Sequence, residues 1–122
     1  MTLNLYLEVL MPPSMYAQYL RELTTDSIIE TDFGFATYRF LADAKTVYLA
    51  DIFVLPNHRK KDVATNLADQ VADIARKQGY TKMIGGVRPS ANGSTISIQV
   101  LLGYGMTVQS AVNDYIVFEK PL

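Results

Sequence analysis

Residues 54–65 have the sequence Val54-Leu55-Pro56-Asn57-His58-Arg59-Lys60-Lys61-Asp62-Val63-Ala64-Thr65. A largely apolar run, residues 48–55, ends there at a proline and a basic loop, and a long amphipathic segment follows. This order predicts a strand that passes through a short cationic loop into the N-terminus of a helix. The N–H groups of a first helical turn point at one spot, where the helix dipole adds about half a positive charge. The cations Arg59, Lys60 and Lys61 strengthen that field, so the stretch is a natural place to hold a phosphate.

The composition predicts a globular protein of one domain, residues 1–122. Hydrophobic residues make up 49% of the chain and charged residues 19%, which is too apolar for disorder. The net charge of −1 supplies no global cationic field, so we expect no nucleic-acid partner. Without cysteine the chain has no disulfide and no cysteine nucleophile. The absence of a long apolar run or a signal-peptide start predicts a cytoplasmic protein with no membrane partner.

The first third of the chain predicts one strand, one helix and then further strands. Residues 3–10 alternate between apolar and polar and are typical of a strand. Ser14 can cap a helix, whose apolar side is predicted to hold Met15, Tyr16, Tyr19, Leu20 and Leu23. Residues 27–41 contain one or two strands, with residues 33–35 either inside or between them.

The remainder predicts a mixed sheet. A strand over residues 46–55 forms a hairpin with the strand before it, and a helix over 62–78 leads to a parallel strand over 82–87. A shorter helix from about Asn92 to Leu102 and a closing hairpin around Asn113-Asp114 follow. The expected fold class is therefore α/β (α+β), a mixed sheet with a β-α-β crossover and about three helices.

This order, with a cationic loop after the central strand, resembles the GNAT superfamily of acyl-CoA-dependent N-acyltransferases. The family motif Arg/Gln-x-x-Gly-x-Gly/Ala corresponds to residues 59–64, and residues 53–56 resemble the V-x-P end of the family's central strand. The resemblance implies that motif amides hold the CoA pyrophosphate and that strands 52–55 and 83–87 splay apart to admit the pantetheine arm. The cofactor-binding residues implied in this way are Phe53, Val54, Arg59, Lys60, Lys61, Asp62, Val63, Ala64, Thr65 and Asn92.

The motif is degenerate at two positions. Asp62 stands where the family has glycine, and we expect it to cap the helix with its carboxylate, which occupies donors that a pyrophosphate needs. At about 5 Å that carboxylate also repels a phosphate charge by ~1 kcal/mol in water and ~3 kcal/mol at an effective dielectric of 20. Leu101 stands where many members have a tyrosine that acts as general acid, and Gly105-Met106 stands at their Gly-Phe.

Acyl transfer to an amine needs a group that deprotonates or orients the amine, a donor for the developing oxyanion and a way to stabilise the leaving thiolate. Asp51 is the candidate base or amine-orienting group; the alternative is a solvated or hairpin-paired carboxylate. Tyr104 is the candidate acid, against a half-buried core tyrosine. A backbone N–H within residues 53–55 is the candidate oxyanion donor, and Gly85-Gly86 predicts close approach of a ligand or a bulge.

Two functions from different classes are consistent with these residues. One is an N-acetyltransferase that uses acetyl-CoA as co-substrate, needs no metal and acetylates a small-molecule or peptide amine in a ternary complex. The other is a catalytically inactive GNAT-fold scaffold that acts through protein contacts. Three tyrosines on short strands also suggest a homodimer through an exposed sheet edge, namely Tyr38, Tyr48 and Tyr115.

Overall fold

The computed structural model describes residues 14–60 and 62–122, so the strand predicted over residues 3–10 lies outside it. The described chain contains six strands and three α-helices. In chain order they are α1 (Met15–Leu23), β1 (Ser27–Glu30), β2 (Gly34–Leu41), β3 (Thr46–Val54), α2 (Val63–Lys77), β4 (Lys82–Val87), α3 (Ser94–Gly103), β5 (Thr107–Val112) and β6 (Tyr115–Pro121). Short 3₁₀ turns, Ala42–Ala44 and Pro56–His58, precede and follow β3.

The six strands form one sheet in the order β1-β2-β3-β4-β6-β5. Every neighbouring pair is antiparallel except β3 and β4, which are parallel and joined through α2. The predicted mixed sheet with a β-α-β crossover and three helices is therefore confirmed. Residues 31–33 separate β1 from β2, so the stretch 27–41 contains two strands.

One face of the sheet is buried against α2. The alternation of β3 and β4 turns Val47 and Met83 to this face, where they meet Leu67 and Val71 of the helix. All four side chains are fully buried, and each contributes on the order of 2 kcal/mol from its removal from water. Helix α3 packs on the same face through Leu101, which belongs to the same core.

Helix α1 begins as predicted, because the Ser14 hydroxyl accepts a hydrogen bond from the N–H of Ala17 at 3.0 Å. Its predicted apolar side is only partly buried, since Leu20 is buried and the other four residues are exposed. Met15 is 87% exposed and Leu23 62%. The described sheet beneath this helix is only the short strand β1 and the end of β2, so few of its apolar side chains find a surface to pack against.

The ladder of β2 and β3 skips Ala50, an extra residue on β3 between the paired residues Leu49 and Asp51. A bulge reverses which face the later side chains of a strand occupy. Tyr48 and Asp51 therefore share the face opposite α2, and the hydroxyl of Thr37 donates to Asp51 there at 3.1 Å.

The tyrosine argument for a dimer does not hold. In the described sheet the edge strands are β1 and β5, whereas the three tyrosines lie on β2, β3 and β6. Tyr38 is buried, and the hydroxyls of Tyr48 and Tyr115 lie 3.4 Å from each other. In the parts of the chain that the structure describes, no helix is both long and apolar enough to cross a membrane.

Candidate functional site

Strands β3 and β4 separate partway along their length. They are paired from Thr46–Lys82 to Leu49–Gly85, yet β3 continues to Val54 and β4 to Val87. Beyond the last pair the two strands form a fork with unpaired inner edges. The predicted splaying of the central strands is thus present.

The fork opens into a cavity of about 760 Å³. Ten of the twelve predicted site residues line it, namely Asp51, Phe53, Val54, Arg59, Lys60, Asp62, Val63, Ala64, Thr65 and Asn92. Lys61 lies outside the described residues. Tyr104 does not line the cavity.

The start of α2 differs from the expected cap. Asp62 has φ +62° and its side chain makes no capping hydrogen bond, so the prediction that its carboxylate occupies the first-turn donors is wrong. Cap residues that accept from the helix normally lie in the extended region, and a left-handed backbone directs the carboxylate elsewhere. Only the carbonyl of Asp62 joins the helix, accepting from Asn66 N at 2.9 Å. Among the described residues no acceptor is found for the N–H groups of Val63, Ala64 and Thr65, so they can bind a ligand.

The loop before α2 presents its cations in different ways. Arg59 folds back, its Nε donating to the carbonyl of Val54 at 3.0 Å and its guanidinium lying 5.8 Å from the Phe53 ring centre. Lys60 is exposed and has φ +63°. His58 also lines the cavity, with its ring stacked 4.0 Å from that of Phe33.

Arg88 adds a cation that the sequence reasoning missed. It follows the end of β4, the second arm of the fork, and lines the cavity. The carboxyl ends of parallel strands meet at one edge of a sheet. The position of Arg88 directly after β4, the strand parallel to β3, was therefore the sequence signal that could have predicted its place in the site.

The other wall of the cavity is the loop from β4 to α3, which carries Asn92. The carboxylate of Asp114 holds this loop by accepting from the N–H of Ser90 at 3.1 Å and from its hydroxyl. The hydroxyl of Ser94 donates to the carbonyl of Pro89 at 2.7 Å. The Asp114 bonds tie the loop to the β5–β6 turn, and the Ser94 bond closes the loop on itself.

The backbone of β3 offers a donor to the fork. Leu55 gives its N–H to the carbonyl of Phe33 at 2.8 Å. Successive residues of an antiparallel strand direct their N–H groups alternately to the two sides, so Phe53 and Leu55 face β2 and Val54 faces the fork. Of the three predicted oxyanion donors, only the N–H of Val54 is therefore available.

Gly85 and Gly86 lie where β3 and β4 part, because Gly85 is the last residue of β4 paired with β3, and no bulge interrupts the described pairing of β4 with β6. A Cβ on Gly85 would lie 3.4 Å from Leu101 Cδ2, and one on Gly86 would collide with the hydroxyl end of the Tyr115 side chain. The second contact brings Tyr115 to the vertex of the fork, a placement that no local pattern predicted.

Tyr104 lies away from the reacting region. Its hydroxyl donates to Asp69 Oδ1 at 2.8 Å, and Lys120 Nζ lies 4.0 Å from its ring centre. Burial, with the hydrogen bond and the charge of Asp69, raises the pKa of Tyr104 well above its usual value. The geometry therefore does not support the predicted role as the catalytic acid.

We expect Tyr104→Phe to leave the acyl transfer that the family resemblance implies within about twofold of the unchanged protein. The free energy of unfolding of the variant should be about 1 kcal/mol lower, because its hydrogen bond to the Asp69 carboxylate is lost. Parallel turnover and urea-unfolding measurements test this. A hundredfold loss of turnover without loss of stability would restore Tyr104 to the reaction.

Among residues 14–60 and 62–122, no three His, Cys, Asp or Glu side chains are placed to hold a metal ion together.

Residues 12–98 match the sequence model of the Acetyltransferase (GNAT) family. The match covers well over half of the 122 residues. The chain therefore belongs to this family. No curated protein sequence matches it.

Solved structures agree in fold. The PaiA N-acetyltransferase of Thermoplasma acidophilum, in complex with coenzyme A, superposes with a TM-score of 0.69 at 14% identity over 86% of this chain and 66% of its own. A Bacillus subtilis acetyltransferase in complex with CoA superposes with a TM-score of 0.65 at 17% identity, over 93% of this chain and 88% of its own. A Salmonella typhimurium protein with its cofactor acetyl-CoA superposes with a TM-score of 0.60 at 21% identity, over 88% of this chain and 70% of its own. The present chain thus spans about two thirds of the length of the first of these proteins.

Proposed function

We propose that the protein is an N-acetyltransferase that binds acetyl-CoA in the fork between β3 and β4 and transfers the acetyl group directly to an amine. The observation that carries this proposal is the cavity at the fork, which joins unpaired strand edges to the N-terminus of α2. Its volume of about 760 Å³ lies within the range of small-molecule sites, roughly 300–1,000 Å³. The family and the CoA-bound structures of similar fold support the same reading.

The chemistry of the walls fits a phosphate-containing thioester. The first-turn amides of α2 supply donors aimed at one spot, and Lys60 and Arg88 supply charge from the α2 loop and the end of β4. The unpaired edges of β3 and β4 supply peptide groups for an amide-containing arm. Each part of such a ligand thus meets groups of matching polarity.

The transfer forms a bond from the amine nitrogen to the acetyl carbon and breaks the bond from that carbon to sulfur. The N–H of Val54 faces the fork and donates to the carbonyl oxygen as its negative charge develops. The carboxylate of Asp51 accepts an N–H of the amine and holds the nitrogen in place. Because Asp51 is exposed, water carries away the proton that the nitrogen loses, and the departing thiolate takes a proton from water.

Binding of the co-substrate is tested first, by thermal unfolding with 1 mM acetyl-CoA, CoA or ATP. A ligand at one hundred times its dissociation constant stabilises by about 2.7 kcal/mol, which raises the Tm of a domain of this size by about 10 °C. We expect this rise with acetyl-CoA and CoA and none with ATP. An unchanged Tm with all three would refute the proposal.

The scaffold alternative took Asp62 as a cap that closes the phosphate site and Leu101 as a replacement for the catalytic acid. That cap is absent. The thermal measurement separates the two functions, since a scaffold without a cofactor gains no stability from CoA.

A further inference from the structure

The face of the sheet opposite α2 carries a second set of groups at the vertex of the fork. They are Thr37, Tyr48, Asp51 and Tyr115, and we call this set the acceptor recess. The hydroxyls of Tyr48 and Tyr115 lie 3.4 Å apart, and the Tyr115 hydroxyl rests against Gly86, one residue past the last β3–β4 pair. The recess therefore adjoins the place where the thioester must lie, on the face opposite α2 and α3.

Asp51 is the charged member of the recess. Asp51 receives a hydrogen bond from the neutral hydroxyl of Thr37, and no salt bridge to it is found among the described residues. Two cations on this face of the sheet are paired, Arg39 with Asp26 at 2.6 Å and Lys82 with Glu119 at 3.6 Å, whereas Arg88 lines the cavity together with Asp51. Asp51 thus brings to the β3 side of the fork a carboxylate that has no ion-pair partner among the described residues.

The tyrosines add an aromatic surface. The ring of Tyr48 already has the Arg39 guanidinium 5.9 Å from its centre, whereas Tyr115 is 40% exposed and can take an incoming group. Burial, the hydrogen bond to Tyr115 and the charge of Asp51 raise the pKa of Tyr48 to about 12. Its hydroxyl therefore stays protonated at neutral pH and keeps the pair together.

We propose that the acceptor recess selects organic amines that carry no carboxylate next to the amino group. This inference rests on the proposed function and deepens it. An amino group held by Asp51 brings a carboxylate on the adjacent carbon within about 5–6 Å of Asp51, where like charges repel. The alkyl or aromatic part of the amine lies on Tyr115. The carboxylate of Asp51 and the ring face of Tyr115 both favour a cation at this place.

The test compares acceptors that differ by one carboxylate: tyramine with tyrosine, and agmatine with arginine. Tyrosinamide, which keeps the added volume without the charge, is the matched control. Release of free thiol from acetyl-CoA gives kcat/KM for each acceptor. Calorimetric titration of each amine into the CoA-bound protein gives its Kd independently of turnover.

We expect tyramine and agmatine to exceed their carboxylated partners by at least tenfold in kcat/KM or in affinity, with tyrosinamide close to tyramine. In Asp51→Asn the ratio of the two affinities should fall to about twofold. Asp43→Asn, an exposed carboxylate at the far end of the β2–β3 hairpin, should leave the ratio unchanged. Tyr115→Leu should weaken tyramine without altering the Tm rise caused by acetyl-CoA.

Equal use of both members of each pair, a ratio that survives Asp51→Asn, or no binding of any acceptor would overturn the inference. Such results together with a normal Tm rise on acetyl-CoA would leave the proposed function standing. Absence of that Tm rise would instead count against the proposed function itself.

Discussion

Gly34→Ala is expected to lower the free energy of unfolding by about 3 kcal/mol, because backbone atoms occupy the space that a methyl group needs. A Cβ at this position would lie 2.3 Å from the carbonyl oxygen of Phe53 and 3.1 Å from the Cα of Val54. A flexible side chain can move aside, but these atoms belong to the paired backbone of β3. Relief of the clash requires β2 and β3 to separate where β3 forms one arm of the fork.

Thermal unfolding measures this effect as a fall in Tm of about 12 °C. Gly103→Ala is the matched control, since nothing lies within 4 Å of a Cβ there and alanine favours a helix by ~0.5–1 kcal/mol over glycine. It should leave the Tm unchanged or raise it. A fall of less than 4 °C for Gly34→Ala would show that the two strands separate easily.

Asp62→Gly and Lys60→Asn are expected to move the affinity for CoA in opposite directions, each by about tenfold. The first removes a negative charge beside the first-turn amides of α2, and the second removes a positive one. Asparagine is chosen at position 60 because the backbone there has φ +63°. Asparagine tolerates that conformation, whereas alanine adds strain to the loss of charge.

The free energy of unfolding gives an independent test of Asp62→Gly. Because Asp62 makes no capping bond and has φ +62°, glycine there should raise the free energy of unfolding by up to about 1 kcal/mol. Lys77→Asn, at the other end of α2, is the control for a lost lysine charge. Calorimetry with CoA and urea unfolding measure both effects; weaker binding by Asp62→Gly would mean that its carboxylate assists the ligand.

The order of elements was predictable because its signals are local. Ser14 caps α1 as predicted, Gly79 at φ +84° follows the end of α2, and Asn113 at φ +54° turns the final hairpin. Each depends on the conformational preference of one or two residues. The apolar periodicity of residues 63–77 likewise placed α2, although most of the apolar face predicted for α1 is exposed.

The phosphate side of the candidate site was predictable for a similar reason. Most of its residues lie within one stretch, residues 53–65, so a motif could contain them. Arg88 lies outside this stretch and was missed. The conformation of Asp62 was also missed, since its side chain favours a cap and only the path of the loop forces a positive φ.

The sequence alone determined that this chain forms a mixed sheet with a parallel crossover and a cationic helix start, because short-range patterns specify these. Tertiary structure decided the face that Asp51 occupies, through the extra residue Ala50 in β3. It also brought Tyr115 to Gly86 and turned Tyr104 to Asp69. These contacts join residues 29 and 35 positions apart, and no pattern within one strand or helix records which distant side chains the packed sheet brings together.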